Sequence, residues 1–382
     1  MKRIAISRKA LIRAIRATAV ALYFAAVAAA HAQTATGDGN GNVTISGTGN
    51  TPFSLGTTST PPLASGGTLK ISSGANITVG GSSSTVSAYA LQVASPSAIS
   101  NSGSVSAYNN NSFSGGPATT LDISPLTTSG NLTINNAGAG TITASSYLGN
   151  ATAVIVENAE QGNVTMTNSG LITANALTIG SSLGQANILG GVSVLDSYAQ
   201  GSISLNNTGT ISTAGSANSA FAGNLAVNGS GGITVTNSGT MSANATLGEG
   251  VISVGLDVNS TGSGNIGVVN SGSISGSGSV LGLAAGILAQ ASSTAAISIT
   301  NTGTVTGSNT ANNQSGMGID VTSTGSGVVA ITNRGQVNAS AKGTAHGIGA
   351  TSGSGNISIT NSGPLIQATS TNATASAIYI WL

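Results

Sequence analysis

The chain has 382 residues, of which 4% are charged and 3% aromatic, and it contains no cysteine. So few charges, against a usual quarter of all residues, and so few aromatics exclude a thick globular core with a charged shell, and the missing cysteines exclude disulfides as a source of stability. With Gly at 56 positions, and Ser, Thr and Asn at most polar ones, two options remain: a disordered low-complexity tract, or a fold with a thin core of Val, Ile and Leu.

Residues 1–32 read as a secretory signal peptide. Lys2, Arg3, Arg8, Lys9, Arg13 and Arg16 precede the apolar run "ATAVALYFAAVAAA" (17–30), and Ala30-His31-Ala32 forms a small-x-small cleavage pattern. The 14 apolar residues of that run fall short of the ~20 that span a bilayer. Export by the Sec route is expected, with cleavage after Ala32. Removal leaves Lys70, Arg334 and Lys342 against Asp38, Asp122, Glu157, Glu160, Asp196, Glu249, Asp257 and Asp320, a surplus of five negative charges. Without a basic surface to displace counterions, nucleic acid is excluded as a partner. Three scattered cations also argue against adsorption to anionic lipid.

Residues 33–90 form an irregular N-terminal capping region. "GNVTISGTG" (41–49) and "LKISSGANITV" (69–79) look like worn repeats around the loop "TSTPPLASGG" (58–67). A cap is needed because the open end of a stack is an edge that recruits other strands. "GDGNGN" (37–42) spaces Asp38, Asn40 and Asn42 as a calcium loop does, but it lacks the distal bidentate Glu, which favours a polar linker.

Residues 91–382 carry the repeat. Asn-x-Gly recurs at Asn101, Asn136, Asn168, Asn207, Asn237, Asn270, Asn301, Asn333 and Asn361, with a mean spacing of 32.5 residues. A fixed period in this range marks a solenoid. Two residues before each Asn stands an apolar side chain, as in Ile99, Met166, Val235 and Ile359, and in eight of nine copies another stands four before it. Eight of nine again have one four after it, such as Ile172 and Met241. This is the period of two that belongs to strands, with the apolar side chains on one face. The Asn and Gly share that inward parity, so Asn-x-Gly reads as a corner. Gly is expected to supply an unusual backbone angle there, and Asn to tolerate a left-handed turn. Successive Asn amides are expected to bond along a common axis, as identical side chains do in cross-β ladders.

A third short strand precedes each corner by about a dozen residues, as in Val154-Ile155-Val156, Leu256-Asp257-Val258, Ile287-Leu288-Ala289 and Ile319-Asp320-Val321. Three strands and three bends per period predict an all-β fold, a single-stranded, three-sided parallel β-helix with ~32-residue rungs, right-handed by crossover chirality. Ten rungs at ~4.8 Å give a rod of roughly 50 Å. "AIYIWL" at the C-terminus begins a further rung that stops before its corner, with Ile378 and Ile380 inward. The repeat region therefore reads as ending mid-rung, either truncated or covered by something else.

Units such as "GVVAITNRGQVNAS" (327–340) and "GNISITNSGPLIQA" (355–368), joined by "HGIGATSGSG" (346–355), resemble the passenger repeats of Gram-negative autotransporters of the type V secretion route. The resemblance covers about residues 69–382 and the signal peptide. It implies passage through a C-terminal outer-membrane β-barrel, folding outside the cell, and a role as surface stalk or adhesin. A barrel needs eight or more strands of about ten residues with aromatic girdles. Near the end stand only Tyr379 and Trp381, so the expected barrel is absent from the chain. Location at the cell surface, at the outer membrane or outside the cell follows, or in the periplasm if the chain is truncated. The expected partner is a glycan or protein receptor on a host or neighbouring cell.

Signals for chemistry are weak. Gly180-Ser181-Ser182-Leu183-Gly184 has the nucleophile-elbow pattern, but in a chain this rich in Gly and Ser it is a chance match. After cleavage the only histidine is His346, in another coil. One His and no Cys cannot form a zinc set, and no cofactor is expected. Asp122, Asp257 and Asp320 occupy the outward middle position of the third strand. Asp257 and Asp320 lie two rungs apart, hence ~10 Å, near the spacing of an inverting acid–base pair. A carbohydrate-active β-helix enzyme, hydrolase or lyase, is thus the alternative to a non-enzymatic passenger. Against it, Leu288 lies between them and no aromatic platform is apparent, so solvated acids are the plainer reading. Outward Thr165/Thr167 and Thr234/Thr236 resemble ice-binding arrays, but Gly267/Val269 and Ala330 break the column. Ile155, Leu288 and Tyr379 point outward by parity and are candidate contact residues.

Overall fold

A computed structural model describes residues 33–381, apart from 56–58, 60, 82–87, 95, 111–116, 127–129, 148, 159–161, 177–185, 197–199 and 247–251. The signal peptide and the Gly180–Gly184 match lie outside the described residues.

The described residues form strands and turns with no helix, gathered into three long sheets that wrap one axis. One rung shows the plan. Ile233–Asn237 enters the corner, Thr240–Ala245 leaves it, and Ile252–Ser260 closes the third side. We call the corresponding sheets I, II and III. Apart from the N-terminal hairpin, the strands pair in parallel with their equivalents in neighbouring rungs, as Ile233↔Ile266 in sheet I and Leu256↔Ile287 in sheet III. The result is the three-sided parallel β-solenoid that the period of two and the 32-residue repeat predict.

The alternation fixes which side chains are buried. Ile233, Val235, Met241, Leu256 and Val258 point inward and are buried, while Thr234, Thr236 and Thr240 face outward. A parallel sheet normally needs both faces covered. Here the inner faces of the three sheets cover one another, and short polar side chains leave the outer faces soluble. One continuous aliphatic column results, from Val43 to Ala350. Each large aliphatic residue in it contributes roughly 1.5–3 kcal/mol by burial.

The first strand, Thr34–Gly37, runs antiparallel to Val43–Ser46 and closes the N-terminal edge of sheet I. Leu55 and Leu63 pack into the same end of the core. "GDGNGN" is the turn of this hairpin. Asp38 Oδ1 accepts from the backbone N–H groups of Asn40 and Asn42, and Oδ2 from the Asn42 amide at 2.7 Å. These bonds hold the Asp38 carboxyl below the usual carboxylate range, the Asn42 side chain contributing most. The segment is an Asx-type turn rather than a free linker. At the opposite end Ile378 and Ile380 continue the inward columns of Ile348 and Ala350, but as members of the last described rung they are largely exposed.

Candidate functional site

The corners carry a continuous amide ladder. Asn101 Nδ2 donates to Asn136 Oδ1 at 2.8 Å, and Asn136 to Asn168 likewise. The chain of donors continues through Asn207, Asn237, Asn270, Asn301 and Asn333 to Asn361, each step 2.7–2.8 Å long. All eight steps point the same way, so the amide dipoles align and strengthen one another. The backbone reinforces each corner: the Asn207 carbonyl accepts from the N–H groups of both Ser238 and Gly239 in the next rung.

The reason for the corner glycine differs from the one expected. Neither the corner Asn nor the corner Gly has a positive φ. What excludes a side chain is the rung beneath, since a Cβ on Gly239 would lie 2.1 Å from the Gly209 carbonyl oxygen. Rung spacing, rather than an unusual backbone angle, demands glycine at such corners; Gly138, with nothing nearer than 3.9 Å, is an exception.

Sheet III departs from strict alternation, and there the outer surface changes character. Gly255 and Leu256 both point inward, and the same doubling recurs at Gly286-Ile287, Gly318-Ile319 and Gly347-Ile348. The first half of each sheet III strand also lies back to back with the end of the sheet II strand. A Cβ on Gly307, for example, would fall 1.7 Å from the Met317 carbonyl oxygen. The strand therefore bends outward after this narrow fin, and the outer faces of its two halves converge into a groove along the rod.

One wall of the groove is the column Phe221, Val254, Ala285, Met317 and His346. The other is Asn224, Asp257, Leu288, Asp320 and Gly349. Positions outside the core are nonetheless covered: Val254 is 0% exposed, Leu288 6% and His346 7%. Val254, Ala285 and Leu288 form a small apolar cluster of their own, separate from the core, against Phe221, Ile252, Leu283 and Met317.

This geometry revises three readings. Asp257 and Asp320 are not freely solvated acids; both are partly buried, and desolvation pushes each carboxyl up to about 6. Leu288 points outward but is packed away, so it is not an exposed contact residue. Aromatic side chains do approach: Phe221 packs on the cluster, and Tyr379 stacks on His346 with ring centroids 4.5 Å apart. Asp122 lies in the same column far toward the N-terminus, within reach of the Gln92 amide at 3.4 Å. Of the other candidate contacts, Ile155 is half-buried and Tyr379 is 38% exposed.

Of the four buried side-chain atoms without a partner among the described residues, one, His346 Nδ1, lies in this groove; Thr213, Ser323 and Ser352 carry the others elsewhere. Neither Asp257 nor Asp320 has a hydrogen bond or ion pair among the described residues. Burial lowers the pKa of His346, which favours the neutral ring. Among the described residues no group of three or more His, Cys, Asp or Glu side chains is placed to hold a metal ion.

Sequence reasoning passed over a second buried amide. Asn309 Nδ2 donates to the carbonyls of Val280, Gly282 and Ser315, and its Oδ1 accepts from Val280 and Ala311 N–H. It pins the loop between sheets II and III. Its signal in the sequence, one Asn at the end of a strand, is too common to stand out. No protein-family model, curated protein or solved structure matches the chain.

Proposed function

We propose that the chain is the exported passenger of an autotransporter-like system and works as a β-helical stalk and adhesin at the cell surface. The observation that carries this reading is that each rung satisfies its backbone and corner groups through its immediate neighbours. A solenoid of this kind gains stability by adding one rung at a time, which suits a chain that emerges unfolded and folds outside the cell without disulfides. Repeated polar faces along the rod, nearly free of charge, suit weak contacts summed by multivalency. A solvent-exposed Val269 on sheet I and Leu171 on sheet II add isolated apolar contact points.

The test is export and binding. A reporter tag placed after Trp381 and fused to an outer-membrane translocator barrel is expected to bring the folded segment to the cell surface, where antibody detects it without permeabilisation. Cells bearing it should bind epithelial or neighbouring bacterial cells more than cells bearing the barrel alone. Retention inside the cell, or binding no higher than the barrel control, overturns the proposal.

A second reading, a carbohydrate-active enzyme, draws on one observation: the desolvated carboxyls of Asp257 and Asp320, which titrate near the range of a general acid. Leu288, packed between them, occupies the place a scissile bond needs. Turnover of pectins or other glycans, lost in Asp257→Ala or Asp320→Ala, would favour this reading over the stalk.

A further inference from the structure

The outer groove of sheet III is unlike the rest of the surface. Elsewhere the outward columns are mostly short hydroxyl and amide side chains, some bonded to one another, as in Thr173 with Ser212 and Ser308 with Ser340, with isolated exposed apolars such as Val269. In the groove, two carboxylates flank a buried leucine along the axis, and a histidine nitrogen nearby is buried without a partner. A buried polar atom without a partner is costly and uncommon in folded chains, and here it stands beside two half-buried carboxylates that no cation among the described residues faces, which points to a ligand that supplies the missing partners.

The walls decide its chemistry. Asp257 and Asp320 are two rungs apart, about 10 Å along the axis. Between and beside them stand only Leu288 and Met317, packed over buried Val254, and none of the three offers a hydrogen bond. Every sheet III strand in this stretch is paired on both edges on either side of its bend glycine, so no strand edge is open to a ligand. A peptide laid here would lose water from its amides without gaining partners, and a glycan would lose it from its hydroxyls. A methylene chain has no such cost, and its cationic ends would meet the two carboxylates. We infer that the sheet III groove binds a linear aliphatic diamine or polyamine, with one ammonium at Asp257, one at Asp320 and the methylene stem across Leu288.

The details fit an axial ligand. A Cβ on Gly349 would lie 3.1 Å from Asp320 Oδ1, so the Asp320 carboxylate leans along the groove toward Gly349, away from Leu288. The neutral ring of His346, held by Tyr379, supplies an acceptor for a further N–H where the amine is longer. This inference goes beyond the stalk reading and does not depend on it.

Calorimetric titration of the purified chain tests it with heptamethylenediamine, whose extended length is about 10 Å by ordinary bond geometry. One equivalent is expected to bind. Heptylamine, with a single ammonium, and ethylenediamine, too short to reach both carboxylates, are each expected to bind at least about tenfold more weakly, a difference of about 1.4 kcal/mol. Asp257→Asn and Asp320→Asn should each weaken the diamine by about the same factor, whereas Asp122→Asn, far along the same column, should leave it unchanged. Leu288→Lys, which tethers an ammonium between the carboxylates, should abolish binding in a chain whose far-UV spectrum is intact. No heat with the diamine, equal affinity for heptylamine, or binding indifferent to both aspartate variants overturns the inference. So does oligosaccharide binding that depends on Asp257 and Asp320 where the diamine fails.

Discussion

Asn237→Ala is the sharpest perturbation of the corner ladder. Asn237 accepts from Asn207 Nδ2 at 2.7 Å, donates to Asn270 Oδ1 at 2.8 Å and is 0% exposed. Alanine removes both ladder bonds, together with the longer 3.2 Å contacts of Nδ2 to the carbonyls of Gly239 and Ser273. Asn207 Nδ2 keeps the carbonyls of Gly209 and Thr240, so the donor below is still served. Asn270 Oδ1 loses its donor at a residue that is 0% exposed. Two amide bonds at about 1 kcal/mol net each, plus about 1–3 kcal/mol for the orphaned oxygen, give a loss of about 3–5 kcal/mol. Asn361→Ala is the internal control. Asn361 is exposed; its Oδ1 accepts from Gly363 N–H and from Asn333, which keeps the Gly335 carbonyl, so the loss there should stay within about 1 kcal/mol. Urea titration followed by far-UV dichroism measures the difference. Because rungs couple only to neighbours, the Asn237→Ala transition should also broaden or split. Amide exchange at Ser271 and Gly272, both bonded to the Asn237 carbonyl, should accelerate before exchange at distant corners. Equal losses at the two positions, or less than about 1 kcal/mol at Asn237, would refute the ladder as a source of stability.

Gly239→Ala should prevent the corner from stacking, because its Cβ has 2.1 Å to the Gly209 oxygen, while Gly267→Ala, with nothing nearer than 4.0 Å, should be close to neutral; paired melting curves test this. The raised carboxyls of Asp257 and Asp320 make stability depend on pH. The folded chain retains protons there that the unfolded chain releases near 3.8, so this contribution is complete below about pH 4 and is lost as the pH rises through about 6. Asp257→Asn or Asp320→Asn should therefore raise the urea stability at about pH 7.5 by about 1–2 kcal/mol, a figure reduced for the solvent each side chain keeps, and leave it nearly unchanged at about pH 3.5. Asn309→Ala deprives two buried N–H groups and three carbonyls of their partner, and should cost about 2–4 kcal/mol with faster proteolysis between 279 and 315.

The architecture was legible because its determinants repeat. A single "ITVTN" is uninformative, but inward Ile233 and Val235 recur in phase with Ile266 and Val268, and parallel stacking at constant rung length requires such phasing. The nature of the corner was less legible. Asn-x-Gly announces a bend, yet whether Gly239 is needed for its φ or for the oxygen beneath it depends on how closely two rungs approach, a distance between residues far apart in sequence. The groove was missed for a related reason. Parity correctly turns Asp257, Leu288 and Asp320 outward, but outward means solvated only on a flat or convex face. The doubling Gly255-Leu256, repeated at Gly286-Ile287 and Gly318-Ile319, was the available signal, a glycine beside an aliphatic where alternation should continue.

That distinction bears on where a solenoid can hold a site. The inward columns are fixed by the core and the ladder, so a change there, as at Asn237, propagates to both neighbours. The outward columns are free of that constraint, and on a flat sheet they stay in water, where single side chains bind little. Only a concave outer face combines the two conditions a site needs: side chains open to variation, and enough cover to make a carboxylate or an imidazole interact strongly with a ligand. In this chain the condition is met where Gly307 and its equivalents press sheet II against sheet III and the strand then turns outward. Asp257, Asp320 and His346 stand in that turn rather than on the flat faces. Burial in that turn is what raises the two carboxyls, and forcing the fin apart, as in Gly307→Ala against the Met317 carbonyl oxygen, should lower both pKa values toward ordinary carboxylates by opening the groove, which carboxyl-carbon chemical shifts across a pH titration would report.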